Sequence, residues 1–474
     1  MLRQGCIVVL DIGKTLAKLT LWSPERRFLQ RRIYRNKGGN AAGYPALDIR
    51  GIEHWLAEGL SAFARLGDIA AIIPVGHGAA ACVVEGDELT LASLDYEAEP
   101  PDEICSRYRG MRDPFALTGS PLLPAGLNLG RQLLWLQTVA PDKFARGVIV
   151  TWPQFWAWRL SGVAATEVTS LGCHTDLWVP AQGKPSPMAV AAGWADRFAP
   201  LRQAGEVLGP VTREWIGRCK LPADCAVVCG LHDSNAALLA ARGFAQIGER
   251  DFTILSTGTW FVAMRSMRER GKVDLASLPE SRDCLVNVDV TGMPVPSARF
   301  MGGREAELLE MARFAPVDVA EQKDLFLRDV ERMVRAGTFA LPAFQKGVGP
   351  FPRAAGYWIR QPGDQISRRA LVGLYLALVT GVCLDLIGSD EPVVVEGRFA
   401  DDPIFAAALA ALHPHPVYKA SAADSIAHGA LRLVDPALPA QADLQRVEPL
   451  GVDISGYAAE WRSRAGASEL MTAT

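Results

Sequence analysis

Ile7-Val8-Val9-Leu10-Asp11-Ile12-Gly13-Lys14-Thr15-Leu16-Ala17-Lys18-Leu19 is an apolar run of strand type, a polar turn built on glycine, and a second alternating run. About half a chain later, Phe252-Thr253-Ile254-Leu255-Ser256-Thr257-Gly258-Thr259-Trp260-Phe261-Val262 has the same design. Each reads as a β-hairpin whose tip is glycine plus hydroxyls. Such a tip offers backbone N–H groups and Oγ atoms with no Cβ in the way, which suits close approach of a phosphate. One tip in each half of a 474-residue chain predicts two related domains that grip one polyphosphate.

Gly13-Lys14-Thr15 also invites a P-loop reading. A P-loop needs a further glycine at position 8, where Val8 stands, and a helix afterwards, where Leu16–Trp22 alternates as a strand does. The hairpin reading therefore holds. Asp11, at the end of a buried strand and before a Gly turn, suits a hydrated Mg²⁺, an ion commonly held by one or two carboxylates plus phosphates. The alternative for Asp11 is an ordinary hairpin aspartate.

Composition fits that picture. A chain of this length exceeds one core and predicts two or three domains. Hydrophobic residues make up 49% and charged residues 21%, values ordinary for a globular protein, and the net charge of −3 gives no basic face for nucleic acid. The nine cysteines are odd in number and form no C-x-x-C pair. The closest spacing, Cys225-x3-Cys229, lies in a Val-rich run and reads as buried reduced thiols, with zinc as the lesser reading. The chain enters a strand at once with no leader-like segment, and no unbroken apolar run reaches the ~18 residues of a membrane span. These features predict a cytoplasmic protein without a membrane partner.

Further along, apolar residues at helical spacing predict a helix over 52–66, followed by a strand over 69–75 that runs into Gly76-His77-Gly78. The Pro-, Asp- and Gly-rich stretch 97–127 reads as loop and as part of a substrate pocket. Helices are expected over 131–138 and 153–160, the second closed by Ser161-Gly162. A strand over 226–229 breaks at Gly230-Leu231-His232-Asp233 into an Ala-rich helix. In the second half a long apolar helix (367–387) precedes a strand over 392–395, the turn Glu396-Gly397-Arg398-Phe399-Ala400-Asp401-Asp402, and a helix opened by Pro403. A strand at 417–419 and a small-residue helix from Asp424 follow. Alternating strands and helices predict an α/β fold.

Three further segments can carry chemistry. Gly76-His77-Gly78-Ala79-Ala80-Ala81 imitates a dinucleotide-binding G-x-G-x-x-A, but strand-like Cys82–Glu85 replaces the required helix; His77 is then a ligand contact or a turn histidine. His232-Asp233 stands at a strand-to-helix switch, where α/β proteins place ligands. Asp233 is either a helix N-cap or a base toward a substrate hydroxyl. Trp152, Trp156, Trp158 and Trp178 are either core or a sugar-packing surface.

This order of segments resembles the FGGY carbohydrate kinase family over nearly the whole chain. The family belongs to the actin-like ATPase folds. Asp11–Lys18 looks like its first phosphate motif, with Lys14 where Thr is usual, and Ser256-Thr257-Gly258-Thr259-Trp260 looks like the second, in the manner of the rhamnulokinase and fuculokinase branch. Gly230-Leu231-His232-Asp233 is similar to the segment whose Asp is the catalytic base. Gly76-His77-Gly78 and Trp152-Pro153-Gln154 resemble segments on the sugar side. The adenosine motif departs: relatives carry Gly-Gly-Gly where this chain has Glu396-Gly397-Arg398.

The resemblance implies an α/β protein of two ribonuclease-H-like domains, residues 1–243 on the sugar side and 244–474 on the nucleotide side, with a cleft between them. It implies an ATP-dependent kinase of a small sugar, a ketose or deoxy-ketose, using Mg²⁺. Asp233 and Asp11 are the expected catalytic residues and metal ligands. Gly13, Lys14, Thr15, Lys18, Thr257, Gly258 and Thr259 are expected on the ATP phosphates. Gly397, Arg398, Phe399 and Asp401 are expected on adenosine, and His77, Gly78, Trp152, Gln154, His232 and Asp233 on the sugar. Rival readings are a phosphoanhydride hydrolase on the same fold and a nucleotide-binding module without catalysis. A homodimer is one assembly open to the chain; the sequence does not set the oligomeric state.

Overall fold

The β-branched runs around the two hairpins form the central strands of two sheets. In the computed structural model, which describes residues 2–41, 43–269, 274–310, 319–420, 424–440 and 442–471, the chain divides into two compact units. The first comprises Met1–Gly243, Val286–Pro294 and Asp424–Ala440; the second comprises Phe244–Leu285, Val295–Ala423 and Gln441–Thr474. The simple cut at 243/244 is thereby modified, because the helix Ser425–Val434 packs on the helix Asp233–Ala241 of the first unit. Their backbones meet at Gly429, where a Cβ would lie 1.8 Å from the Ala236 carbonyl oxygen.

In the first unit the strands run in the order Val207–Pro210, Ala226–Val228, Ile69–Gly76, Cys6–Ile12, Leu16–Trp22, Phe28–Arg35. Cys6–Ile12 pairs antiparallel with Leu16–Trp22, Asp11 opposite Lys18, and parallel with Ile69–Gly76, Asp11 opposite Val75. Its side chains are buried throughout, as expected for a strand covered on both faces. One face is closed by the helix Ile49–Phe63, through Ile52, Trp55, Leu56 and Leu60. The other face packs Ile7, Val9 and Ile73 against Ala427, Ala430 and Leu431.

The second unit repeats the motif. Phe252–Thr257 pairs antiparallel with Phe261–Ser266 and parallel with Val393–Gly397, Thr257 opposite Gly397. The helix Gln365–Leu386 lies against the helices Gly302–Glu310, Val319–Ala336 and Pro403–Leu412. Its length and mean hydropathy of 1.7 meet the requirement for a membrane span that no unbroken apolar run in the sequence meets, yet 83% of that window is buried inside the protein. It is a core helix here.

The stretch 97–127, expected as loop, contains the helix Asp102–Met111 and the short turn Phe115–Thr118. Asp102 and Glu103 sit in the first turn of that helix, where carboxylates oppose the positive end of its dipole. The cysteines are all unbridged, and Cys225 and Cys229 are buried. Among the described residues no group of three or more His, Cys, Asp or Glu side chains is arranged to hold a metal ion.

Candidate active site

The end of the strand Cys6–Ile12 carries Asp11 into an environment hostile to a bare carboxylate. Asp11 is 7% exposed, and its Oδ2 lies 3.4 Å from Lys18 Nζ. Burial pushes its carboxyl up to about 7; Lys18 opposes that shift, while the neighbouring charges of Asp233 and Asp424 add to it. A buried carboxylate with two other carboxylates in electrostatic reach favours a cation. Mg²⁺ asks for few protein ligands, all oxygen, and the pair Asp11 and Asp233 matches that donor set without a closed metal cage. At the tip, the Gly13 N–H donates to the Leu16 carbonyl at 3.0 Å, and Asn36 Nδ2 donates to the carbonyls of Gly13 (2.7 Å) and Lys14 (3.2 Å). The turn is therefore held from behind.

Asp233 opens the helix Asp233–Ala241, directly after a two-residue strand, Leu231–His232, that pairs with Val75 and Gly76. The cap position belongs to His232, which makes no side-chain cap bond, so Asp233 is not the N-cap that the sequence left as an alternative. Asp233 Oδ1 accepts from the Ser234 N–H (2.6 Å) and hydroxyl (3.2 Å), and His232 Nε2 lies 3.2 Å from the same oxygen. No donor to Oδ2 occurs among the described residues, and the side chain is 24% exposed. That oxygen is the one available to a hydroxyl.

The turn before Asp233 is fixed from two sides. Gln154 Nε2 donates to the carbonyls of Cys229 (3.2 Å) and Gly230 (3.0 Å), while Gln154 Oε1 accepts from the Thr151 hydroxyl. Fully buried with both ends of its amide engaged, Gln154 holds the backbone; the expectation that it binds sugar is corrected. On the other side the His232 N–H donates to Thr169 Oγ1 at 3.0 Å. The Thr169 hydroxyl in turn donates to Glu167, a wholly buried carboxylate that also accepts from the N–H groups of Thr169 and Ser170. Burial pushes Glu167 up to about 7, against the pull of those hydrogen bonds.

His232 and His77 are both buried, and burial pulls both imidazoles below their ordinary value. His77 Nδ1 donates to the Gly78 carbonyl at 2.6 Å, which leaves Nε2 of the neutral ring as an acceptor. A Cβ at Gly78 would sit 2.7 Å from Cys173 Sγ, so Gly78 is demanded by packing. The Trp152 ring stacks on Phe155 at 5.7 Å, and its indole N–H donates to the Ile12 carbonyl at 3.3 Å. Trp156 and Trp158 belong to the core beside it, while Trp178 is buried with Leu171 and Val288.

His77 and Trp152 line a cavity of about 330 Å³ together with the hairpin tip Gly13-Lys14-Thr15, Asn36, Asp48, Asp95 and Glu97. Lys14, expected on phosphate, is ion-paired with Asp95, stands 3.6 Å from Glu97 Oε2, and lies over the Tyr96 ring at 5.1 Å. Asp95, Tyr96 and Asn36 were not singled out from sequence. The acidic pair flanking Tyr96, at the start of the stretch read as a pocket loop, was the available signal.

In the second unit the hairpin tip is open. A Cβ on Gly258 would find nothing nearer than the Trp260 carbonyl oxygen at 3.8 Å, and Thr259 is exposed. Thr257 has a different task from the expected phosphate contact. Its buried hydroxyl donates to the Glu396 carbonyl (2.6 Å) and accepts from the Phe399 N–H (3.1 Å), and its carbonyl accepts from the Arg398 N–H (2.9 Å). Thr257 thus clasps the hairpin to the turn after Val393–Gly397.

In that turn Gly397 has φ +90°, and a Cβ there would lie 2.3 Å from the Thr257 carbonyl oxygen. Phe399, expected on adenosine, is wholly buried and packs edge-on against Phe261 at 5.0 Å; it is core. The Arg398 guanidinium lies over the Phe399 ring at 4.9 Å and 3.8 Å from Glu307. Asp401 pairs with Lys419 at 3.0 Å, and Asp402 caps the following helix by accepting from the Ile404 and Phe405 N–H groups. Asp401, Asp402 and Lys419 line a second cavity of about 380 Å³.

Two units, each a sheet with an antiparallel hairpin beside a parallel strand that ends in a glycine turn, define the actin-like ATPase class of α/β proteins. The family model described as "Carbohydrate kinase FGGY, C-terminal domain" matches residues 249–442. The structure is similar to that of a carbohydrate kinase from Novosphingobium aromaticivorans, 47% identical, with a TM-score of 0.93 over 97% of this chain and 100% of that one. It shares its fold with a xylulose kinase from Rhodospirillum rubrum, 15% identical, with a TM-score of 0.77 over 99% of this chain and 100% of that one. A rhamnulokinase from Bacillus subtilis (strain 168) is 30% identical over 110 residues, which span 23% of this chain and 22% of that protein. The chain belongs to the FGGY carbohydrate kinase family.

Proposed function

We propose that this chain transfers the terminal phosphoryl group of ATP to a hydroxyl of a small sugar, a ketose or deoxy-ketose, with Asp233 accepting the hydroxyl proton. The observation that carries the reading is the state of Asp233: one carboxylate oxygen is crowded by Ser234 and His232, and the other has no donor among the described residues. Family membership supports ATP as donor, and the match to a rhamnulokinase supports the ketose or deoxy-ketose class.

In this reading the first unit holds the sugar and Asp11, and the second holds the nucleotide on the open Gly258 tip. Asp11 and Asp233 would hold Mg²⁺, which when bound supplies charge neutralisation on the transferring phosphates. Oδ2 of Asp233 takes the proton of the attacking hydroxyl as the O–P bond forms. Gln154 and Thr169 keep the backbone at 229–232 in place while it does so. Phosphoryl transfer passes through a loose transition state, so this positioning carries much of the rate. The buried, unbridged thiols suit a cytosolic enzyme.

The test is ADP release, coupled to a dehydrogenase, across pentuloses, hexuloses, 6-deoxyhexuloses and polyols. Sugar-dependent release is expected with at least one class, and Asp233→Asn should lower kcat by about 10²–10⁴-fold while sugar binding persists. ADP release that no sugar changes, or near-wild-type kcat in the folded variant, refutes the reading.

A further inference from the structure

Lys14 is the residue of the first hairpin that departs most from a phosphate loop, and its surroundings assign it elsewhere. An ammonium has three donors. One is taken by Asp95 in direct ion pairing, a second is within reach of Glu97 Oε2 at 3.6 Å, and the charge also faces the Tyr96 ring. Two carboxylates therefore neutralise a cation that an ATP phosphate would have to win from them. The Lys14 side chain is 18% exposed and forms one wall of the 330 Å³ cavity that also contains His77 and Trp152. That volume falls in the ~300–1,000 Å³ range of small-molecule clefts.

The polar lining is rich in acceptors. Asn36 uses its amide N–H groups on the carbonyls of Gly13 and Lys14, and its Oδ1 is buried away from the cavity, so it holds the turn and does not serve the ligand. His77 gives its Nδ1–H to Gly78 and keeps Nε2 as an acceptor. Asp95 and Glu97 each bring a carboxylate, and Asp48 brings a third whose oxygens accept from the Tyr34 hydroxyl and the Gly51 N–H. Against these stand Lys14, already neutralised, and the exposed Lys37. A ligand whose polar groups are hydroxyls supplies the missing donors. A ligand carboxylate supplies only further acceptors and meets a negative balance of charge.

We propose that Lys14, Asp95 and Glu97 form a charged wall of the sugar pocket, so that Lys14 selects the sugar instead of binding nucleotide phosphate, and that the pocket takes a neutral, hydroxyl-rich ligand in preference to a sugar acid. This rests on the kinase reading above for the identity of the substrate, though not for the existence of the pocket. The two roles of Lys14 separate in steady-state kinetics.

With the full chain and the best sugar of the panel, Lys14→Met should raise the sugar KM at least about 10-fold and leave the ATP KM within about 2-fold. A rise in ATP KM with sugar KM unchanged overturns the assignment. Should Lys14→Met fold poorly, the wild-type protein provides the second measurement. Nucleotide-free calorimetry compares xylitol with xylonate and glucitol with gluconate, pairs that differ only in a terminal carboxylate. At least one alditol should bind about 10-fold or more tightly than its aldonate. Equal affinities, preference for the aldonates, or no saturable binding of either series overturns the proposal. Calorimetry requires neither ATP nor turnover, so its outcome stands apart from the loss of the kinase reading, which an absence of sugar-dependent ADP release would signal.

Discussion

Gly258 and Gly397 stand close in the same sheet, and alanine at each should fail or succeed for opposite reasons. At Gly258 the added Cβ meets nothing within 3.8 Å, so the folded protein tolerates it and melting should shift by no more than a degree or two. A methyl on that tip instead occupies the space where a phosphate would approach the backbone. The ATP KM should rise at least about 10-fold, on the order of 1.4 kcal/mol, with the sugar KM unchanged. At Gly397 the Cβ would lie 2.3 Å from the Thr257 carbonyl oxygen, at φ +90°. Holding a non-glycine residue there costs about 1–3 kcal/mol, and the clash also presses on the clasp that Thr257 makes to Arg398 and Phe399. At about 2–4 °C per kcal/mol for a unit of this size, Gly397→Ala should lower Tm by roughly 2–12 °C. Differential scanning calorimetry and initial-rate kinetics on both variants decide the matter. Wild-type ATP KM in Gly258→Ala would refute the tip as a phosphate site. A wild-type Tm in Gly397→Ala with a selective loss of ATP affinity would show that the glycine serves ligand approach and not the backbone.

Asp11→Ala should weaken activation by Mg²⁺ far more than it changes the sugar KM; an unchanged Mg²⁺ titration of the initial rate would count against its place on the metal. Thr169→Val should lower kcat about 10-fold with little change in sugar affinity, and Thr169→Ser, which keeps the hydroxyl, should restore it; equal kcat in the two variants would show that the bond to the His232 N–H is irrelevant to rate. Glu305, whose buried carboxyl accepts from the Tyr375 hydroxyl, is pushed by burial from 4.5 up to about 7. The unfolded chain then ionises first, so this group's stabilising effect is present below about pH 4.5 and lost as pH rises toward 7, a change on the order of 3 kcal/mol. Glu305→Gln should flatten that part of the Tm-versus-pH curve and raise Tm at pH 8, and parallel curves for the two proteins would sink the argument.

What the sequence disclosed was mostly local chemistry. Gly162 closes its helix in the left-handed conformation at φ +76° and Pro403 opens one, as their positions in the sequence imply. Both hairpins were legible because period-2 alternation, a glycine and the flanking hydroxyls all lie within a dozen residues. Asp11 and Asp233 could be singled out because each stands in its own strand-end turn, whose pattern is visible within a few residues of sequence. The site was not legible where the role depends on a partner far away. Lys14 meets Asp95 across 81 positions of chain, and Thr257 meets the turn at Glu396–Phe399 across about 140. Gln154 and Phe399 were read as ligand contacts because they lie in segments that resemble the family's ligand-side motifs; only packing shows that one holds a backbone turn and the other fills a core.

The helix Ser425–Val434 carries a consequence for how the protein is made. Its alanines and leucine complete a core whose other half is laid down in the first residues of the chain, Ile7 and Val9 among them. During synthesis that first apolar face emerges early and stays only partly covered, by Ala204, Leu231 and Ala236, until residues near 430 have left the ribosome. For much of translation the nascent first unit thus has an incompletely covered sheet, exposed to the same contacts that drive aggregation of incomplete domains. A fragment ending at Gly243 would lack the part of that cover that Ala427, Ala430 and Leu431 supply. The first unit cannot finish folding until the chain near residue 430 has been written.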